Sequence, residues 1–235
     1  MSRRGIFYGV GVGPGDPELI TLKAWRIISQ TEVIAFPTAN GNASLARKIA
    51  GPFIPDDTIE LPVVLPMSSE REAACKAYDL ACPAIASHLE QGRDVTFLCE
   101  GDPFFYGSFM YLFARLARSH ETVIVPGVTS LTACAAAIGR PLAARNDVLK
   151  IVPAPLGRKR LRAEINSGES IAIIKVGRHF EKIRGVLAEL GLTDKALIVE
   201  KATGDDQRIS ALADVAPGEQ PYFSTILVYK GGEDW

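Results

Sequence analysis

The stretch V95-T-F-L-C-E-G-D-P-F-F-Y-G-S108 sets a short apolar run, Val95–Cys99, directly before a glycine, an Asp-Pro pair and three aromatic residues. A run of that length bounded by turn residues reads as a buried strand. Gly101 opens backbone angles that other residues avoid, and Asp102-Pro103 makes a tight turn at the strand's C-terminal end. Gly107–Arg118 then has helical character. Strand, turn and helix in succession form the unit of an α/β fold, in which ligands bind beside the carboxyl ends of strands. Phe104, Phe105 and Tyr106 could offer a flat apolar surface to an adenine or a large ring, or could plug the core.

The alternation extends in both directions. Upstream, Ile6–Val12 reads as a strand, Leu19–Gln30 as a helix and Val33–Phe36 as a short strand closed by Pro37. Ser69–Gln91 reads as a long helix with an interruption at Pro83, where a backbone donor is lost. Downstream, Val123–Pro126 is a strand, and Thr129 or Ser130 caps the Ala-rich helix Leu131–Ile138. Further strands are expected near Val148–Val152, Ile171–Val176, Ala196–Glu200 and Tyr222–Tyr229, and helices near Arg158–Asn166 and Phe180–Leu190. The tail Lys230–Trp235 is expected to be loose. The expected division is an N-terminal α/β lobe over residues 1–125 and a C-terminal one over residues 126–235.

At 235 residues the chain suits one large or two smaller α/β domains, and 47% hydrophobic with 23% charged residues is an ordinary globular balance. A net charge of −1 argues against nucleic acid as the main partner. No apolar run reaches the roughly 18–20 residues of a membrane span. The start MSRRGIFYGVGVGPGD lacks the apolar core and cleavage site of a secretory signal, so it is read as the first strand and the protein as cytoplasmic. Cys75, Cys82, Cys99 and Cys134 form no C-x-x-C pair, and His88, His120 and His179 are scattered. No protein-bound metal is expected.

Two other stretches invite a ligand. The loop G9-V-G-V-G-P-G-D-P17 is off register for a dinucleotide fingerprint: from Gly9 the third glycine falls on Pro14, and from Gly11 on Asp16. Asp16 also sets a negative charge where a pyrophosphate would sit. A zwitterionic ligand without phosphate fits better. In Val125–Ala143, small residues allow close backbone approach, and Thr129 and Ser130 offer hydroxyls and amides at a helix start.

Gly13–Thr21 (GPGDPELIT), Gly101–Pro103 (GDP) and Pro126–Ser130 (PGVTS), in this order and spacing, resemble the tetrapyrrole methylase family over nearly the whole chain. Within it, Glu100–Leu112, Lys175–Arg178, Glu200–Thr203 with Gln207–Arg208, and Pro221–Val228 are most similar to the branch that methylates the C(20) meso carbon of precorrin-2. A close relative acts on the cobalt-loaded ring. The resemblance implies two α/β lobes with S-adenosylmethionine (SAM) folded in a cleft between them, and a homodimer. By motif it carries SAM contacts to Pro14, Gly101, Asp102, Phe105, Thr129, Ser130, Val176, Ala202 and Ser224.

Methyl transfer from a sulfonium to an electron-rich ring carbon requires alignment and a dry site more than reactive side chains. A base could then remove the proton from the methylated carbon, and Glu100 and Tyr106 are the candidates because both flank the loop. A polycarboxylate tetrapyrrole calls for cations, for which Arg140, Arg145, Lys175, Arg178 and Lys201 lie near the motif loops. Arg158, Lys159, Arg160 and Arg162 read as a solvated helix face. Two alternatives stand beside this: a methylase of the same family acting on another ring position, and a non-catalytic nucleotide-binding α/β protein.

Overall fold

The computed structural model describes residues 3–39, 43–66, 71–218 and 220–231. The chain divides into two units, Met1–Thr129 and Ser130–Trp235, and each is built on a five-stranded sheet.

In the first unit the order is β1 (Phe7–Gly11), α1 (Leu22–Ile28), β2 (Val33–Ala39), α2 (Leu45–Ala50), β3 (Ile59–Leu65), α3 (Arg71–Glu90), β4 (Val95–Cys99), α4 (Phe109–Leu116) and β5 (Thr122–Val125). All five strands are parallel, arranged β3-β2-β4-β1-β5. Every residue of β4 is buried, so successive side chains feed two cores. Val95, Phe97 and Cys99 meet Tyr78, Ile85 and Leu89 of α3 and Phe109 and Leu112 of α4. Leu98 meets Ala24 and Ile28 of α1 and Ala46 and Ile49 of α2 on the other face. Helices divide in this way because right-handed crossovers toward opposite sheet edges lie on opposite faces. The connections leaving β1 and β4, which are neighbours, run in opposite directions. Their carboxyl ends therefore form the switch point at which open α/β sheets bind ligands.

The second unit begins with α5 (Ser130–Ala137) and continues through β6 (Leu149–Pro153), α6 (Arg158–Asn166), β7 (Ser170–Ile174), α7 (Phe180–Glu189), β8 (Ala196–Glu200), β9 (Arg208–Ala211) and β10 (Ser224–Tyr229). Its sheet runs β6-β7-β10-β8-β9, with β6 parallel to β7 and the remaining pairs antiparallel. Leu161 and Ile165 of α6 and Phe180, Ile183 and Leu187 of α7 pack on Ile171, Ile173, Ile198, Ile226 and Val228.

Several expectations change. β2 does not close at Pro37 but pairs with β3 as far as Ala39. Its pairing to β4 ends at Ala35, so beyond that point one side of the strand is open and a missing N–H is tolerated. α3 runs through Pro83 without interruption. Pro83 and Asp79, one turn earlier, are both exposed, so the carbonyl that loses its donor faces water. Ser69 lies outside the described residues. The expected helix Leu19–Gln30 is a 3₁₀ turn, Pro17–Leu19, followed by α1, which restarts where Thr21 accepts from the Ala24 amide at 3.2 Å. Strands β3 and β9 and helix α2 were not expected. Of the tail, residues 232–235 lie outside the described residues, while Lys230 is anchored: its Nζ donates to the carbonyls of Ile165 and Asn166.

Candidate functional site

Three turns of the first unit converge where β4, β1 and β5 end side by side. The Val12 amide donates to the Cys99 carbonyl at 2.9 Å, the Gly101 amide to Gly13 at 2.8 Å and the Gly13 amide to Gly101 at 3.3 Å. The two turns thus form a small antiparallel bridge beyond the parallel sheet. The third turn closes on them without side chains. A Cβ on Gly127 would stand 2.0 Å from the Gly101 carbonyl oxygen, and one on Gly11 would stand 2.7 Å from the Gly127 Cα. Gly101 itself has φ +64°, a left-handed angle that glycine takes without steric cost.

Asp102 fastens this seam. One carboxylate oxygen accepts from the Phe104 and Phe105 amides at 2.9 and 3.1 Å. The other accepts from the Gly127 amide at 3.1 Å, joining the turn after β4 to the turn after β5. Charge-assisted bonds of this kind are the stronger class. With both oxygens so used, Asp102 presents mainly backbone to a ligand. In the first turn Asp16 caps the 3₁₀ segment, accepting from the Glu18 amide at 2.8 Å, and Pro14 is half-buried beside it.

The aromatic run divides its roles. Phe104 packs on Phe113 at 5.2 Å and Phe109 at 5.9 Å yet stays half exposed. Phe105 and Tyr106 meet edge to face at 5.1 Å. Tyr106 is exposed and held at φ 55°, a conformation that costs a non-glycine residue about 1–3 kcal/mol and gathers at functional sites.

Glu100 follows β4 and is partly buried. Burial pushes its pKa up, opposed by the nearby amides of Glu100 itself and Ala46. Ala46 lies in the first turn of α2, where Ser44 accepts from the Arg47 amide at 3.3 Å. Ser44 thus satisfies a helix-start amide, and Glu100 lies near the same turn of α2. A raised pKa means that the folded protein binds this proton more tightly than the unfolded chain. The stabilisation is full below the ordinary glutamate value and is lost as pH rises through the folded value. Thermal melts of Glu100→Gln from about pH 4 upward should lose that part of the slope; an unchanged slope would show that Glu100 does not supply it.

In the second unit, Val176, Ala202 and Ser224 come to one end of the sheet. β10 runs antiparallel to both β7 and β8, pairing Ser224 with Glu200 and Ile226 with Ile173. Its first residues therefore lie beside the carboxyl ends of those two strands. Lys175 and Lys201 follow those ends directly and carry φ values of 59° and 47°, so each strand makes a sharp turn before the buried Val176 and Ala202. The turns are tied together: the Lys201 amide donates to the Phe223 carbonyl at 2.8 Å, and Ser224 Oγ to the Pro221 carbonyl at 2.7 Å. Thr129 closes the first unit, and Ser130 opens α5 of the second.

Of the candidate cations, Lys175 and Arg178 are exposed at this end, and Lys201 is ion-paired with Asp206. Arg145 is exposed on the segment before β6. Arg140 instead lies over the Tyr229 ring, 4.3 Å from its centre, where burial lowers its pKa. Arg158, Lys159, Arg160 and Arg162 are exposed on α6, with Arg158 paired to Glu189 at 2.6 Å. Among the described residues, no group of three His, Cys, Asp or Glu side chains is placed to hold a metal ion. Among the same residues, no helix is long and apolar enough to cross a membrane. Sequence reasoning passed over Gly11 and Gly127, whose place in the backbone seam depends on strand order. Gln207, read from the sequence only as part of a motif, accepts from the Thr203 amide at 2.7 Å and shapes the turn after β8.

Residues 7–215 match the family model described as Tetrapyrrole (Corrin/Porphyrin) Methylases. The chain is 40% identical over 239 residues to the cobalamin biosynthesis protein CobIJ of Mycobacterium tuberculosis, an alignment covering 98% of this chain and 47% of that protein. The chain thus spans about half the length of this curated relative. It is 38% identical over 232 residues to a precorrin-2 C(20)-methyltransferase of a Sinorhizobium species, covering 95% of both chains. The uroporphyrin-III C-methyltransferase of Thermus thermophilus, solved with S-adenosylhomocysteine, superposes with a TM-score of 0.71 at 26% identity, covering 95% of this chain and 97% of that one.

Proposed function

We propose, from the premise that this chain belongs to the tetrapyrrole (corrin/porphyrin) methylase family, that it transfers a methyl group from SAM to the C(20) meso carbon of precorrin-2, giving precorrin-3A on the route to cobalamin. The observation that carries this reading is the backbone seam of Gly11, Gly101 and Gly127 at the switch point of the first sheet. A seam of main chain fastened by the Asp102 carboxylate suits a nucleoside carrying no phosphate.

The residues present fit SAM in that respect. Pro14, Gly101, Asp102, Phe105, Thr129 and Ser130, with Val176, Ala202 and Ser224, are the proposed contacts. When bound, SAM supplies an electrophilic methyl group on a sulfonium. The chain's own work is positional. Asp102 fixes two turns relative to each other, Phe105 is steadied edge-on by Tyr106, and the turns at Lys175 and Lys201 set Val176 and Ala202. Alignment of this kind can contribute several kcal/mol, of the roughly 7–11 attainable from proximity and orientation. Lys175, Arg178 and Lys201 are the cations proposed for the substrate carboxylates.

Glu100 and Tyr106 are the proposed acceptors of the proton that leaves the methylated carbon. Burial makes the Glu100 carboxylate a stronger base than an ordinary glutamate. Glu100→Gln should lower kcat by about 10²-fold, the lower end for a general base, with S-adenosylhomocysteine affinity kept; an unchanged kcat would remove Glu100 from the reaction. The reading also takes the protein to be cytoplasmic and, as the family resemblance implies, a homodimer. Titration calorimetry with S-adenosylhomocysteine and with NAD tests the donor class, and binding of NAD alone would overturn it. Turnover of metal-free precorrin-2 against its cobalt complex decides between the two ring states.

A further inference from the structure

We infer that Tyr222 and Phe223 form an aromatic platform against which the tetrapyrrole macrocycle lies, and that this pair helps to select the ring; the inference rests on the function proposed above. Both side chains are large, apolar and solvent-facing, with exposures of 66% and 43%. Each rests against the other edge to face at 5.0 Å. Most large hydrophobic side chains of this unit are buried in its core, so two adjacent exposed aromatic rings stand out.

Their place in the fold turns exposure into an argument. They immediately precede Ser224, the first residue of β10, which pairs with Glu200 at the carboxyl end of β8. The Phe223 carbonyl accepts from the Lys201 amide at 2.8 Å, one residue before Ala202. Tyr222 packs its backbone on the turn after β7: a Cβ on Gly177, next to Val176, would stand 3.8 Å from the Tyr222 Cα. The Gln220 amide donates to the Gly177 carbonyl at 3.4 Å. The backbone of the pair is thus fixed to Gly177, Lys201 and Ser224, alongside all three donor contacts proposed in this unit, while the rings stay on the surface. Lys175, Arg178 and Lys201 are exposed around the same sheet end. A flat, conjugated ring fringed by carboxylates matches aromatic faces with cations around them.

The test compares Tyr222→Ala, Tyr222→Ala/Phe223→Ala and Tyr222→Phe with the unaltered full chain. Readouts are calorimetric binding of S-adenosylhomocysteine, thermal melts, and anaerobic steady-state kinetics with precorrin-2. The platform predicts that the double variant raises KM for precorrin-2 by tenfold or more, with S-adenosylhomocysteine affinity within threefold of the unaltered protein. The single alanine variant should rise less, and Tyr222→Phe should restore the unaltered KM. A double variant with an unchanged KM overturns the platform and leaves the methylase reading intact. Parallel loss of S-adenosylhomocysteine binding also overturns it, because the pair would then be supporting the donor turns. If the unaltered protein binds S-adenosylhomocysteine but turns over no precorrin-2, the functional reading fails and the platform fails with it.

Discussion

Gly127→Ala will abolish detectable S-adenosylhomocysteine binding and lower the melting temperature by roughly 2–12 °C, from an overpacking cost of about 1–3 kcal/mol at about 2–4 °C per kcal/mol. The added methyl group would stand 2.0 Å from the Gly101 carbonyl oxygen and 2.9 Å from the Gly11 backbone. A flexible side chain could move aside, but here the three nearest atoms are all main chain. Gly101 is held by its bridge to Gly13, and Gly11 by its pairing with Cys99 of β4. The strain therefore has to open the contact between the turns that the donor is proposed to bind. Gly139→Ala is the control, because a Cβ there meets nothing within 4 Å. It should bind normally while bearing a backbone penalty of about 1–2 kcal/mol for a left-handed alanine, so that binding, not melting temperature, separates the two variants. Equal binding by Gly127→Ala and the unaltered protein would show that the seam is not the donor site.

The second large effect is expected from Asp102→Asn, a change of one atom. Asparagine can keep its oxygen on the Phe104 and Phe105 amides, but its NH₂ group then faces the Gly127 amide, donor against donor. Losing a hydrogen bond to a charged group costs about 1.5–3 kcal/mol. Spent on the relative position of two binding turns, that corresponds to about ten- to hundredfold in S-adenosylhomocysteine affinity. Asp102→Ala frees all three amides and should weaken binding further, with a larger fall in melting temperature. If the asparagine variant binds like the unaltered protein, the staple does not organise the site, and Asp102 is only a turn residue.

Much of the architecture can be read from local pattern. Val95–Cys99, Arg158–Asn166 and Ala196–Glu200 are bounded by turn residues on both sides, and the strands and helix found there have those limits. Where pattern misleads, the cause is tertiary. Pro37 looks like a strand end until the one-sided pairing of β2 is known. Pro83 looks like a break until it is placed on the solvent face of α3. β3 and β9 are edge strands with several exposed residues each, so they lack the apolar run that announces a buried strand.

The site divides in the same way. The glycines, Asp102 and the aromatic run are visible as unusual residues clustered after strands. Which glycines touch is not, because Gly11, Gly101 and Gly127 are brought together only by the order β4-β1-β5. The antiparallel setting of β10 likewise decides that Ser224 lies beside the ends of β7 and β8. Glu100 is conspicuous in the sequence, but its neighbour Ala46 belongs to α2, a helix that the sequence pattern did not suggest. Arg140, near the loops by number, is taken up by Tyr229.

The central claim is methyl transfer to one carbon, and its most direct test is anaerobic incubation of the protein with precorrin-2 and SAM carrying a carbon-13 methyl group, followed by NMR of the product. The account predicts one labelled methyl per ring, bonded to the C(20) meso carbon. Label at any other ring position, or a ring recovered without label while S-adenosylhomocysteine still binds, would contradict it.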